Sequence, residues 1–82
     1  MITGTQIRMA RAALKIGVRD LAEMAGVAPM TISRLENGQS GGQGETLAKI
    51  ERALGAAGII FVPENGAGAG VRLAKRSTDG DQ

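Results

Sequence analysis

The stretch GVAPMTISRLENG, residues 26–38, decides the fold. Pro29 suits the first turn of a helix, where a missing N–H costs nothing. Asn37-Gly38 suits its end, because either residue tolerates positive φ. The helix expected over 29–36 is only about two turns long. Advancing by about 100° per residue brings Ile32 and Leu35 together, with Thr31 and Glu36 on their flanks. Met30 and Arg34 fall opposite, with Pro29 and Ser33 beside them. Ile32 and Leu35 are therefore the core face, and the other side chains need another reason to be displayed.

The flanking sequence supplies partners for that core face. TQIRMARAALKI, residues 5–16, spaces Ile7, Ala10 and Leu14 as one helical stripe. Thr3 or Thr5 is the expected cap and Gly17 the expected stop. RDLAEMAG places Leu21, Ala22 and Ala25 on a second short stripe ended by Gly26. After the glycine-rich loop GQSGGQG, residues 38–44, ETLAKIERALGAAG sets Leu47, Ile50, Ala53 and Leu54 on a fourth helix. Glu45 lies near the positive end of its dipole. These helices are too short to persist alone in water, so they depend on packing.

Beyond Gly58 the period changes. IIFVP and VRLAK are rich in β-branched residues and flank ENGAGAG, which reads as two strands with a glycine-rich connection. Pro63 belongs at a strand end or edge. A dinucleotide-binding glycine loop would need a helix after GAGAG, whereas a Val-Arg-Leu strand follows. The final residues are polar, and 77–82 read as a disordered tail. The expected organisation is a helical domain over 1–57, a β extension over 58–76, and that tail.

Composition limits the chemistry. The 82 residues contain no His, Cys, Trp or Tyr and a single Phe. Disulfides, thiolate metal sites and cysteine or histidine catalysis are thereby excluded. No paired carboxylates or nucleophile–base pair stand at useful spacing, so the chain is not expected to be an enzyme, and no cofactor or metal is expected. No apolar run approaches the ~20 residues of a membrane span. Arg8, Arg11 and Lys15 interrupt any apolar stretch near the start, so no signal pattern is read and the expected compartment is the cytoplasm. A chain of this size buries roughly 60% of its unfolded surface, and a second copy would enlarge that thin core. The net charge of +2 is modest, but residues 1–19 carry Arg8, Arg11, Lys15 and Arg19 with no acid.

Two short helices separated by a Gly-Val-Ala turn match a helix-turn-helix, whose second helix enters the DNA major groove. The outward face suits that groove. Arg34 offers two parallel hydrogen bonds to guanine O6 and N7, and Met30 a contact for a thymine methyl. Thr31 and Ser33 reach a phosphate or a base edge. Pro29, Met30, Thr31, Ser33 and Arg34 are thus the candidate base-reading residues. A plain solvated helix surface is the alternative.

IRMARAALKIGVRDLAEMAGVAPMTISRLENG, a loop, and ETLAKIERAL together resemble the Xre family, the phage lambda repressor type of helix-turn-helix. The resemblance covers about residues 5–57 and implies a mainly α, four-helix domain, here followed by a short C-terminal strand pair or hairpin. It implies an internal salt bridge between Arg11 and Glu36. It implies phosphate contacts at Val18, Arg19, Asn37, Gly38, Gln39 and Ser40, aided by backbone N–H groups near Gly44 and Glu45. The sequence departs from the pattern in three places. Val18 stands where a glutamine is common, Ala28 where Ser or Thr often caps the third helix, and the loop after that helix lacks Lys and Arg. Two strands also replace the fifth helix of the phage repressors. Some antitoxin-like members pair C-terminal strands across a dimer, so Ile59, Ile60, Phe61, Val62, Val71 and Leu73 are the candidate dimer contact. The expected function is a dimeric, sequence-specific DNA-binding repressor acting on a pseudo-palindromic operator in double-stranded DNA. The alternatives are an antitoxin with a toxin partner, or an antiactivator that binds a regulator protein and DNA weakly or not at all.

Overall fold

The computed structural model describes residues 2–39 and 44–74. Within them run four helices, α1 (Gly4–Leu14), α2 (Val18–Ala25), α3 (Pro29–Glu36) and α4 (Gly44–Ala56), followed by β1 (Ile59–Val62) and β2 (Gly70–Leu73). The fold is mainly α with a C-terminal antiparallel hairpin. Ser40 and the tail at 77–82 lie outside the described residues.

Thr3 caps α1. Its hydroxyl accepts from the Gln6 amide at 3.1 Å, and the Gln6 side chain accepts from the Thr3 amide at 2.9 Å. This reciprocal pair satisfies two donors that a helix start leaves free. Thr5 lies inside the helix. Gly17 does not end α1, contrary to the sequence expectation. Lys15 takes the left-handed conformation there, at φ 59° and ψ 43°. Gly17 instead opens α2, where its amide donates to the Asp20 carboxylate at 2.8 Å. Gly58, at φ +106°, turns the chain from α4 into β1.

The core is aliphatic. Ile7 and Ala10 of α1, Leu21 and Ala22 of α2, Ile32 and Leu35 of α3, and Leu47, Ile50 and Leu54 of α4 are all buried. Ile2 and Ile59 are buried in the same cluster. Ile59 opposes Leu73, and Phe61 opposes Val71. Phe61 and Val71 pack against the helical core from the inner face of the hairpin. The strands thus pair within one chain.

A lone two-stranded ribbon is marginal in water, and this one is anchored by Gln6. That side chain is only 3% exposed. Its Nε2 donates to the carbonyls of Val62 at 3.1 Å and Gly70 at 3.0 Å. One buried amide therefore caps α1 with its oxygen and holds both strands with its nitrogen. Leaving such carbonyls unpaired would cost about 1–3 kcal/mol.

Gly4 brings the first turn of α1 directly onto the end of α3. A Cβ at Gly4 would collide with the Leu35 carbonyl oxygen and stand 3.0 Å from Glu36 Cα. Both neighbours are backbone, so neither can swing aside. In an unobstructed helix Ala is better than Gly by about 0.5–1 kcal/mol. Here Gly4→Ala is expected to reverse that sign and lower unfolding free energy by about 1–3 kcal/mol. Urea denaturation of the variant checks this, and an unchanged or higher midpoint would contradict the backbone contact.

Candidate nucleic-acid interface

The chain enters α3 through Ala28, which is extended at φ −73° and ψ 143°. The residue before a proline favours that region. Ala28 provides no side-chain cap, and its carbonyl accepts from the Thr31 amide at 3.0 Å. The helix closes with a complete pair of capping bonds. The Gly38 amide donates to the Leu35 carbonyl at 3.1 Å, and the Gln39 amide to the Arg34 carbonyl at 2.9 Å. Gly38 supplies the positive φ, +71°, that this closure needs.

Ile32 and Leu35 sink into the core and fix the rotation of α3 about its axis. The opposite row then faces solvent. Met30 is 60% exposed, a large apolar side chain turned mostly to solvent. Pro29 and Arg34 are exposed too, whereas Thr31 and Ser33 are half-buried beside the core row. Met30 and Arg34, four residues apart, line one edge of the helix. The ion pairs among the described residues do not include Arg34.

Glu36 ties α3 to α1. Its carboxylate accepts from Arg11 Nε at 2.6 Å and from Arg11 Nη2 at 2.8 Å. This is the two-pronged geometry that makes Arg–carboxylate bonds strong. Arg11 Nη1 also reaches the Ile16 carbonyl at 3.3 Å. The Glu36 side chain is 5% exposed, so almost no water solvates it. The hydrogen bond to Glu36 raises the pKa of the Arg11 guanidinium, burial opposes the shift, and the charge of Glu36 adds to it. A raised value means the pair contributes fully below the ordinary arginine range and is lost only as pH climbs through the shifted value. Arg8 joins the same carboxylate, with Nε 3.7 Å from Glu36 Oε1.

The other sequence candidates fall into two groups. Arg19, Asn37, Gly38 and Gln39 are exposed. Arg19 belongs to the first turn of α2, and the other three follow directly from α3. Val18 is half-buried against the core, so only its backbone N–H, in the first turn of α2, has the chemistry to meet an anion. Of the candidate dimer residues, Ile59 lies in the protein's own core, and Phe61 and Val71 pack on it. Ile60 and Leu73 remain exposed, at 47% and 54%.

Three structural residues escaped the sequence reading. Gln6 follows Thr3 at capping-box spacing, a visible signal, but nothing local announced that it also holds the hairpin. Arg8 precedes Arg11 by one helical turn, and only the fold shows that both reach Glu36. Gly4 carried no signal.

Among the described residues no cluster of acidic side chains could hold a metal ion, and no helix is long and apolar enough to cross a membrane. No curated protein matches the chain. A helix-turn-helix family model matches residues 7–57, which takes in most of α1 and all of α2, α3 and α4. That match covers more than half of the 82 residues and coincides with the helices that seat α3. By fold and by family match together, the chain belongs to the helix-turn-helix family, a family of DNA-binding transcription regulators rather than of enzymes.

Proposed function

We propose that this protein is a sequence-specific repressor of the Xre, phage-repressor type that reads the DNA major groove with α3 and acts as a cytoplasmic homodimer. The observation that carries this reading is the split of α3 into two faces. Ile32 and Leu35 are consumed by the core, and Met30 and Arg34 are left on the surface. An exposed methionine beside an arginine that has no ion pair among the described residues is useful equipment for a groove. Arg34 forks onto guanine O6 and N7, and Met30 covers a thymine methyl. Pro29, Thr31 and Ser33 complete the reading edge. Arg19, the N-terminal amides of α2, and the segment Asn37, Gly38, Gln39 and Ser40 take the phosphates on either side.

The hairpin is the proposed dimer contact. Ile60 stands on its outer face and Leu73 at the exposed end of its inner face, so apolar surface remains after the hairpin has packed on its own helices. A symmetric contact there would present two α3 helices to successive major-groove turns, ~34 Å apart on a pseudo-palindrome. A toxin or a regulator protein bound through the same surface is the second reading. The absence of Lys and Arg from residues 37–44 favours the regulator-protein partner, because such a loop grips phosphate weakly.

Arg34→Ala is expected to cost roughly 1–3 kcal/mol on the preferred site and to relax selectivity at one base pair. Arg19→Ala is expected to weaken all sequences alike and to flatten the dependence of affinity on salt. Equal losses on preferred and random DNA for Arg34→Ala, measured by fluorescence anisotropy, would remove Arg34 from base reading. The double variant Ile60→Glu, Leu73→Glu is expected to sediment as a monomer with little loss of thermal stability. An undiminished dimer would place the contact elsewhere.

A further inference from the structure

Arg8 lies outside the reading helix and outside the loop that follows it, yet it touches both. Its Nη2 donates to the Glu36 carbonyl at 3.3 Å and to Asn37 Oδ1 at 3.1 Å. Its Nε stands 3.7 Å from the Glu36 carboxylate. The Arg8 side chain remains 57% exposed, so these bonds hold a cation at the surface, beside the end of α3.

An arginine has five donors and no acceptor, so the end of the Asn37 amide that meets Arg8 must be its oxygen. The NH2 end is then the one left for another partner. That end is the one a phosphate needs, since phosphate oxygens only accept. Among the described residues the Asn37 side chain has no other hydrogen-bond partner, and its backbone amide donates to the Ser33 carbonyl at 3.0 Å. Without Arg8 the side-chain amide is free to present oxygen as readily as nitrogen.

Charge points the same way. The C-terminus of α3 carries the negative end of the helix dipole, and the Glu36 carboxylate lies beside it. Both repel a phosphate. Residues 37–44 contain no Lys or Arg to offset this. Arg11 offsets one negative charge, and Arg8 supplies a second cation to the same place.

We propose that Arg8 is a positioning residue for DNA binding: it turns the Asn37 amide so that its nitrogen is the end left for the phosphate backbone. The proposal rests on the reading of α3 and its following loop as the DNA-binding surface. It assigns to α1 a part in phosphate recognition that the sequence pattern of the turn does not contain.

The test is a double-mutant cycle on the full chain. Wild type, Arg8→Ala, Asn37→Ala and the double variant are titrated against the site that wild type selects from random DNA, at several salt concentrations. Asn37→Ala is expected to weaken binding about five- to tenfold, the effect of one hydrogen bond, and Arg8→Ala about twofold, because roughly half of the freed amides still present nitrogen. The double variant is expected to bind no more weakly than Asn37→Ala, because Arg8 acts through Asn37. Losses that multiply, with a salt slope reduced by about one for Arg8→Ala, would mean that Arg8 grips a phosphate itself and would overturn the proposal. Nuclear magnetic resonance of the free protein supplies a second readout. The Asn37 side-chain amide signals are expected to shift in Arg8→Ala while those of Gln39 stay in place. Unmoved Asn37 signals overturn the proposal whether or not DNA binds. Failure of wild type to select any site, with the Asn37 signals shifted, would instead refute the DNA-binding reading and leave the contact intact.

Discussion

A carboxylate at the last position of α3, almost removed from water, is the constraint on which the rest depends. A charge in that position must be paired, and Arg11 pairs it with two short hydrogen bonds. Removing Arg11 would leave Glu36 nearly dry with only the longer contact to Arg8, at 3.7 Å, and breaking one partner of a buried pair costs about 3–5 kcal/mol in other proteins. For a domain whose total stability is of order 5–15 kcal/mol, that is a large share. The consequence is geometric. With Ile32 and Leu35 fixing the rotation of α3 and Glu36 fixing its end against α1, the outward row cannot turn inward. Met30 and Arg34 are therefore held at the surface by groups on the far side of the same two turns.

The helix α1 serves as the frame for everything else. Its glycine admits the end of α3, its arginines hold Glu36, and its buried glutamine clasps the hairpin. The hairpin and the reading helix are thus braced by side chains within a span of eight residues, Gly4 to Arg11. That arrangement lets an aliphatic core without Trp or Tyr hold a defined surface, because directional bonds supply the orientation that a small core lacks.

Much of this was legible in the residues alone. Pro29 and Asn37-Gly38 bound α3 because proline and glycine act through their own backbone chemistry, which no tertiary contact needs to supply. The two faces of α3 followed from period alone. The switch to strands after Gly58 was visible as a change from helical spacing to β-branched runs. What stayed hidden depended on contacts between distant segments. Lys15, not Gly17, adopts the left-handed conformation that ends α1, and Gly17 starts α2 from an extended conformation. Gln6 and Arg8 look like ordinary helix-surface residues until the hairpin and the end of α3 are placed against them. Ile59 has the same composition signal whether it packs on its own helices or on a partner's, and the fold puts it in its own core.

The claim that α3 is held outward in order to read bases is tested most directly by selecting bound sites from random double-stranded DNA and mapping guanine N7 methylation interference on them. The account predicts a pseudo-palindrome whose half-sites lie one helical turn apart, each with a guanine whose major-groove methylation blocks binding and ceases to matter when Arg34 is replaced. Recovery of no preferred sequence, or of one on which no guanine N7 methylation interferes with binding, would contradict it.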